Sequence, residues 1–299
     1  MNATELMQLP DLTAEAKTVF DSLDVSDGTR KDYAARIGMF IEFVRQYGFD
    51  VNTYLKYKRH LEKRTDYTVS TKNKYLATAR VFLKELNRLG FIPADITQNI
   101  RLFTQNKKHK REGLTDREIQ KVVEQINTLP DTPQYARLRA LFCLLTFQGL
   151  RQIEIVRLDV NDVDLPNKTA FVRAKGADDK EPVYLAPATV EALKKHLKLN
   201  KVGSGAVFKS LGNRKSKRLS TMTIKREFQQ LFSDVGIQKT VHGFRHFYIT
   251  KLLQSLEVRD VRKFSRHKSL EMLIVYDDEI DVREKMEDVF ACFESYNVT

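Results

Sequence analysis

Apolar side chains recur every three or four residues through the first hundred positions of the chain, which is the spacing of amphipathic helices. Gly28, Gly48 and Gly90 interrupt this pattern and indicate breaks between helices. The pattern predicts four helices, over residues 14–24, 29–47, 51–64 and 70–89. We therefore expect a small helical domain over residues 1–103.

A basic stretch follows this domain. Residues 104–113 contain four Lys or Arg residues and one acid with no apolar anchor, a composition typical of an exposed linker. Thr115 and Glu118 then have the spacing of a capping box, in which each side chain accepts a hydrogen bond from the other residue's backbone amide. We predict a basic linker over residues 104–114 and a second domain over residues 115–299.

The second domain mixes helical and strand patterns. Residues 169–175 and 181–185 indicate two short strands on either side of a turn-rich segment. The run 138–147 is apolar on almost every side, as in a buried helix, and Gly149 can end that helix in the left-handed conformation. Helices are predicted over residues 115–127, 134–147, 151–157, 187–199, 220–235, 243–255 and 279–294. The expected fold is mainly α with a small β-hairpin or sheet, in two domains.

The charge of the chain indicates a partner. Lys and Arg number 51 against 39 Asp and Glu, which gives a net charge of +12. Such an excess favours a polyanion, most commonly nucleic acid, although charge that only keeps a protein in solution is the alternative. Residues 209–226 hold seven basic side chains and no acid, a more local signal, whereas a solvated face explains the lysines of the helical domain equally well. The candidate DNA contacts are Lys72, Lys74, Arg80, Lys107, Lys108, Lys110, Arg214, Lys215, Lys217 and Arg218.

Cysteine usage and hydropathy indicate the cellular compartment of the protein. Cys143 and Cys292 are far apart in the sequence, so neither a disulfide framework nor a cysteine metal site is indicated. The N-terminus lacks the basic-then-apolar layout of a signal peptide, and the longest apolar run, residues 140–147, is too short to span a bilayer. We expect a cytoplasmic protein with no membrane partner.

Arg151 is the first candidate for chemistry. It follows Gly149 at the predicted start of a short helix, where a guanidinium could bind two phosphate oxygens with bidentate geometry. The alternative is an ordinary surface arginine paired with Glu154, and that alternative is favoured when the motif is taken alone.

His242 and Arg245 are three residues apart and therefore share a face of a predicted helix. Together they would supply a second guanidinium for phosphate and a group that can transfer protons. A zinc site at His242 and His246 is disfavoured, because Gly243 stands where metalloproteases carry Glu and Arg245 would repel the ion. Buried histidines satisfied by ordinary hydrogen bonds are the alternative for either one.

Lys175 and Tyr276 complete the candidate set. Lys175 lies at the end of the first predicted strand, where it could protonate a leaving oxygen or simply be a solvent-facing turn lysine. A phenol has a pKa of about 10, so Tyr276 would need arginines and a base nearby to attack phosphorus and form a phosphotyrosine ester. Tyr248 is a rival nucleophile, because it lies close to the motif that begins at His242.

These motifs, in this order, resemble the tyrosine recombinase family, which includes phage integrases and Xer-like resolvases. The family's first arginine box has the form found at residues 149–154, and its hairpin lysine precedes a glycine as Lys175 does. Its second box has the form found at residues 242–246. Its final histidine precedes the nucleophile by nine residues, as His267 precedes Tyr276, which makes Tyr276 the preferred nucleophile.

The resemblance implies a helical core-binding domain, an α+β catalytic domain, and a site-specific DNA recombinase. The enzyme would form a 3′-phosphotyrosine intermediate during integration, excision or resolution, without a metal or another cofactor. The catalytic residues that it implies are Arg151, Lys175, His242, Arg245, His267 and Tyr276. It also implies a mobile element, double-stranded DNA with specific recombination sites, a homotetramer on two such sites, association with the nucleoid, and room for an accessory directionality factor.

The C-terminal segment has a different composition from the rest of the chain. Residues 277–294 hold eight acids and two bases around an amphipathic apolar stripe. This segment resembles the family's terminal helix, here expected at about 279–294, which docks into a neighbouring subunit. A helix packed on its own domain is the alternative.

The chain departs from the family pattern at three places. Arg266 stands where the family usually has Gly, Lys180 stands where an arginine is frequent, and residues 270–273 replace a stretch that is commonly rich in Thr. A type IB topoisomerase or a telomere resolvase would share the same active-site logic. A DNA-binding regulator that no longer cuts is a third alternative, which the intact set of six residues disfavours.

Overall fold

The structure, a computed structural model, describes residues 12–105, 113–174, 179–210, 218–267, 269–270 and 273. The chain divides into two compact units, residues 1–106 and 107–299. Within the described ranges the fold is mainly helical with a three-stranded sheet, which confirms the predicted fold class. No helix in these ranges is long and apolar enough to cross a membrane.

The first unit consists of packed helices that begin at side-chain caps. Its helices are α1 (Leu12–Asp21), α2 (Asp27–Tyr47), α3 (Thr53–Glu62) and α4 (Val69–Arg88). The hydroxyl of Ser26 accepts the amide of Thr29 at 3.3 Å before α2, and the hydroxyl of Thr68 accepts the amide of Thr71 at 3.2 Å before α4. The four helices lie within a few residues of the predicted ranges.

Aromatic side chains fill the core of the first unit. Phe40, Phe82 and Tyr54 are fully buried, and the ring of Phe40 packs edge-on against that of Tyr57 at 5.0 Å. Burial of each such ring contributes about 1.5–3 kcal/mol to stability. The hydroxyl of Tyr54 donates to the carbonyl of Leu76 at 3.0 Å, so its polar end is satisfied inside the core.

The second unit contains most of the remaining helices and the sheet. Its helices are α5 (Asp116–Thr128), α6 (Pro133–Phe147), α7 (Gln152–Arg157), α8 (Pro187–Leu199), α9 (Thr221–Asp234), α10 (His242–Leu253) and α11 (Val258–Ser265). The predicted capping box before α5 is confirmed. The amide of Thr115 donates to Oε2 of Glu118 at 2.8 Å, and the amide of Glu118 donates to the hydroxyl of Thr115 at 3.2 Å.

Helix α6 is buried along most of its length and ends at a glycine. Leu141 and Leu144 are fully buried, as the continuous apolar run predicts. Beyond the helix the chain turns at Gly149, whose φ is +56°, and the amide of Leu150 donates back to the carbonyl of Leu144 at 3.2 Å. The predicted glycine cap is confirmed, and it directs the chain from the core into α7.

The strands β1 (Val163–Asp164), β2 (Thr169–Arg173) and β3 (Lys180–Tyr184) form an antiparallel sheet in that order. Ala170 pairs with Val183 and Phe171 pairs with Pro182. Ala170 is buried and Phe171 is exposed, as the alternation of a strand requires. The two predicted strands are confirmed within two residues, whereas β1 was not predicted.

One helix was missed, and two predicted elements are not tested. Helix α11 was not predicted. Residues 106–112 of the predicted linker and the predicted helix 279–294 lie outside the described residues.

Candidate active site

Arg151 precedes helix α7 and is held by a buried carboxylate. Its backbone amide donates to Oε2 of Glu154 at 2.8 Å, and its Nη1 donates to Oε1 at 2.9 Å. The side chain of Glu154 is completely buried, whereas 25% of the side chain of Arg151 is exposed. The two residues are therefore paired. Within this pair, Glu154 is buried and only Arg151 is exposed to solvent.

Arg245 connects three segments of the second unit. It lies on α10 and is 2% exposed. Its Nη1 donates to the carbonyl of Gly149 at 2.6 Å, and its Nη2 donates to the carbonyl of Ser265 at the end of α11. These acceptors compensate the burial of a permanent charge and fix the plane of the guanidinium. One of them, the carbonyl of Gly149, belongs to the turn two positions before Arg151.

His267 is a buried, neutral imidazole between Arg245 and Ser265. Its Nδ1 lies 2.7 Å from the hydroxyl of Ser265, and its Nε2 lies 3.3 Å from Nη2 of Arg245. A guanidinium can only donate, so we assign Nε2 as the acceptor and place the ring proton on Nδ1. Burial, followed by the positive charges of three nearby arginines, lowers the pKa of His267 to about 3. The ring therefore carries no charge at neutral pH and helps to orient Arg245.

Arg266, at the position where the family pattern has a glycine, adopts the left-handed conformation, with φ of 55° and ψ of 45°. Its side chain is 5% exposed, and its Nη2 donates to Oε2 of Glu154 at 3.0 Å. Burial raises the pKa of Glu154, but the charge of Arg266 and the hydrogen bonds from Arg151 outweigh it, so this pKa is lowered. Glu154 is therefore ionised, and the turn before His267 keeps the left-handed form despite the arginine.

Tyr248, the rival nucleophile, packs against the turn at Gly149. A Cβ atom added to Gly149 would lie 2.2 Å from Cδ1 of Tyr248. Burial raises the pKa of Tyr248, although nearby Arg266 and Arg245 oppose this effect. Because a phenol that holds its proton more tightly is a poorer nucleophile, these contacts favour a packing role for Tyr248.

The two histidines of the second motif lie in different surroundings. His242 is the first residue of α10 and is exposed. His246 is 2% exposed, and its ring packs against the backbone at Gly113, where an added Cβ would lie 2.4 Å from Nδ1. Across the parts of the chain that the structure describes, no group of three His, Cys, Asp or Glu side chains could hold a metal ion. The side chain of His242 is thus accessible to solvent, whereas His246 supports the packing of α10.

Lys175 and Tyr276 lie outside the described residues, but the strand that leads to Lys175 is in place. Strand β2 ends at Arg173, and Nη1 of Arg157 donates to the carbonyl of Ala174 at 3.3 Å. The last residue of α7 therefore contacts the residue that immediately precedes Lys175.

Lys180 forms an internal ion pair at the start of β3. Its Nζ donates to the buried carboxylate of Asp162, which also accepts the backbone amide of Asp159 at 3.0 Å. The residue that replaces the frequent arginine of the family is therefore used to anchor the sheet to the preceding turn.

The described candidates for DNA contacts differ in whether their side chains already bond to other groups of the protein. Arg80 donates to the carbonyl of Ile100, and Arg218 donates to the carbonyl of Val156 at 2.7 Å. Arg218 also pairs with Asp159 at 2.6 Å, and the ammonium group of Lys72 donates to the carbonyl of Glu62 at 2.8 Å. Lys74 is exposed. The geometry favours structural roles for Arg80 and Arg218 and keeps Lys74 as the candidate directed at solvent. Outside the described residues lie Lys107, Lys108, Lys110, Arg214, Lys215 and Lys217.

The arrangement concentrates positive charge on arginine side chains. Of the predicted catalytic residues, Arg151, Arg245 and His267 are brought together by the turn at Gly149 and the end of α11. Two guanidiniums beside a neutral imidazole can hold an anionic phosphate and stabilise the charge that develops during its transfer. The site is therefore suited to phosphoryl transfer.

Three residues that support this cluster were not in the predicted catalytic set. Glu154 accepts a hydrogen bond from Arg151, and the hydroxyl of Ser265 is hydrogen-bonded to His267. Arg266 adds a positive charge by donating to Glu154. The pairing of Arg151 with Glu154 is the alternative that the Arg-x-x-Glu spacing already offered, since residues three apart at a helix start can cap each other. The sequence contains no comparable signal for Ser265.

Known proteins provide independent comparisons. Residues 113–282 match the family described as "Phage integrase family". The tyrosine recombinase XerC of Leptospira interrogans is 24% identical over 301 residues, which cover 95% of each chain. The tyrosine recombinase XerC of Lactobacillus delbrueckii subsp. bulgaricus is 27% identical over 216 residues, which cover 69% of this chain and 71% of the relative.

Solved structures show the same fold. The XerH site-specific recombinase bound to a palindromic difH substrate, in a post-cleavage complex, gives a TM-score of 0.72 at 18% identity over 95% of this chain and 85% of that one. A lambda integrase dimer bound to a COC' core site gives a TM-score of 0.66 at 17% identity, over 88% of this chain and 75% of that one.

Proposed function

The chain belongs to the phage integrase family of tyrosine recombinases, and we propose that it recombines DNA at specific sites through a covalent 3′-phosphotyrosine at Tyr276. The observation that carries this proposal is the cluster of Arg151, Arg245 and His267. Three segments that are distant in sequence meet there, and these side chains are held by hydrogen bonds before any substrate arrives.

In the proposed reaction, the hydroxyl oxygen of Tyr276 attacks the scissile phosphorus and the bond to the 5′ oxygen breaks. The phenolic proton leaves through a base, for which exposed His242 is the candidate, and the 5′ oxygen gains a proton from Lys175. The phosphate is retained as a tyrosine ester, so a 5′ hydroxyl of another strand can attack it and rejoin the DNA. Neither step consumes a nucleotide or needs a metal.

The arginines act on the non-bridging oxygens of the phosphate. The exposed part of Arg151 faces solvent, and Arg245 is fixed behind it by two backbone carbonyls. Because both groups are positioned before the reaction, they stabilise the developing charge without reorganising. A bound phosphate also offsets the positive charge around His267, so we expect the pKa of that imidazole to rise when DNA binds.

The partners follow from the same proposal. The substrate is double-stranded DNA carrying specific recombination sites, on which four copies of the chain assemble on two sites, with an accessory factor setting direction where a mobile element requires it. The acidic segment 277–294 joins neighbouring copies. Deletion of residues 280–299 should weaken assembly on paired sites more than binding to a single site, and equal losses would make the segment part of its own domain.

Covalent capture on nicked suicide DNA tests the proposed nucleophile. The unaltered protein should form a stable covalent complex, and Tyr276→Phe should abolish it while DNA binding is kept. Tyr248→Phe is the matched control, because it removes only the hydroxyl group and keeps the packed ring. This variant should still form the covalent complex. The opposite pattern, with capture lost in Tyr248→Phe and kept in Tyr276→Phe, would overturn the assignment.

The alternatives are less well supported. The curated relatives described above are tyrosine recombinases, which does not favour a topoisomerase, a telomere resolvase or a regulator. A topoisomerase would relax supercoiled plasmid that carries no recombination site, and a regulator would bind DNA without covalent capture.

A further inference from the structure

Arg266 combines an uncommon backbone conformation with a buried charge. Its φ of +55° lies in the left-handed region, which glycine adopts without strain and few other residues adopt. Its side chain is 5% exposed and ends at Glu154, which is completely buried. The ion pair between them compensates both the strained turn and the buried guanidinium.

Glu154 stands between two arginines. Its Oε2 accepts Nη2 of Arg266 at 3.0 Å and the backbone amide of Arg151 at 2.8 Å, while its Oε1 accepts Nη1 of Arg151 at 2.9 Å. A change in the charge or position of this carboxylate is therefore transmitted to Arg151. Of these three side chains, Arg151 is the most exposed.

The backbone of Arg266 also controls the neighbouring histidine. The left-handed turn ends α11, and the amide of His267 donates back to the carbonyl of Arg262 at 3.3 Å. This turn brings the imidazole to within 3.3 Å of Arg245. Arg266 thus reaches Arg151 through its side chain and His267 through its backbone.

We propose that Arg266 is a positioning residue that acts through Glu154 and leaves the outer nitrogens of Arg151 available for a phosphate oxygen. This inference rests on the proposed function. Without Arg266, the whole negative charge of Glu154 would face Arg151 and draw its guanidinium inward. The terminal nitrogens of Arg266 donate to the carbonyl of Phe264 and to Glu154, so its effect on a phosphate is indirect.

A purely structural ion pair is the competing explanation, and a double-mutant cycle separates the two. Arg266→Gly removes the guanidinium while it permits the left-handed turn, and Arg266→Lys keeps the charge. Lys201→Gly is the matched control, since Lys201 is also left-handed, with φ of +51°, and is exposed. The rate of covalent capture at saturating DNA, the affinity for DNA and the melting temperature are measured for each variant.

We expect Arg266→Gly to slow capture about 10- to 100-fold, the range in which a misplaced catalytic group slows a reaction, with unchanged DNA affinity. Arg266→Lys should recover part of the rate, and Lys201→Gly should match the unaltered protein. Arg266→Gly combined with Glu154→Gln should be no slower than Glu154→Gln alone, because the first residue acts through the second.

Three results would overturn the inference. Capture by Arg266→Gly at the unaltered rate would remove the role, and multiplicative losses in the double variant would show an effect independent of Glu154. A loss that follows the melting temperature and disappears on cooling would make the pair a structural support. Failure of the proposed function is distinguishable, because the unaltered protein would then capture no DNA.

Discussion

Replacement of Gly149 by alanine tests how the turn before α7 supports the site. The φ of Gly149 is +56°, and its carbonyl accepts Nη1 of Arg245 at 2.6 Å. An added Cβ would lie 2.2 Å from Cδ1 and 2.7 Å from Cγ of Tyr248. Because Cγ is only two bonds from the backbone, the ring can yield only by leaving its χ1 rotamer or by moving α10. The substitution therefore strains the turn and disturbs the packing beside Arg245.

The expected loss of stability in Gly149→Ala has two contributions, which a comparison with Gly236→Ala separates. The left-handed conformation costs a residue with a Cβ about 1–2 kcal/mol, and overpacking against Tyr248 adds about 1–3 kcal/mol. The expected loss of about 2–5 kcal/mol is a large part of the roughly 5–15 kcal/mol that stabilises a typical protein. Gly236 has a φ of +72°, and an added Cβ would meet nothing within 4 Å, so Gly236→Ala should cost about 1–2 kcal/mol.

Urea unfolding followed by circular dichroism measures both variants. Tyr248→Ala supplies a further arm, because without the ring Gly149→Ala should cost only as much as Gly236→Ala. Covalent capture should also be slowed by Gly149→Ala, since the acceptor of Arg245 moves, and should be kept in Gly236→Ala. Equal losses of stability for the two glycine variants would refute the packing argument.

The remaining predictions concern pH, charge and metal. Burial lowers the pKa of His196 to about 4 and that of His267 to about 3, so both are neutral when folded and take up a proton near pH 6.5 when unfolded. The free energy of unfolding should therefore fall as the pH drops below 6.5, by about 4 kcal/mol at pH 5, and a flat profile in urea titrations would contradict this. Arg218→Ala should lower the free energy of unfolding by about 1–3 kcal/mol, through its lost contacts with Asp159 and backbone carbonyls, without changing the salt dependence of DNA binding. Lys74→Ala should lower the salt slope by about one at unchanged stability, and the reverse pattern would exchange the two roles. A chelator should leave covalent capture unchanged, and a loss that added metal restores would indicate a nuclease.

The elements that the sequence predicted depend on rules that act over a few residues. The cap at Thr115 and the turn at Gly149 each involve partners within six positions, so one window of sequence contains the information. Helix α11 escaped prediction because four of its eight residues are charged and its buried face consists of Val261 and Ser265. The short strand β1 has two residues and no periodicity to detect.

The site was predictable in its motif residues and not in its connections. The spacing from Arg151 to Glu154 was visible, but Arg266 reaches the same carboxylate across 112 positions. The unusual arginine could be recognised as a departure, whereas its buried partner could not be inferred from spacing. The neutral state of His267 arises from burial among charges that the fold assembles, so no local pattern indicates it.

Peptide mapping of the covalent complex tests the central claim most directly. The protein is captured on nicked suicide DNA, digested with nuclease and protease, and the peptide that carries the nucleotide is identified by mass spectrometry. The account predicts a phosphodiester remnant on Tyr276, formed in the unaltered protein and strongly reduced in Arg151→Ala and Arg245→Ala variants that still bind DNA. A remnant on Tyr248 or on a serine, or an adduct that forms at the same rate without either arginine, would contradict it.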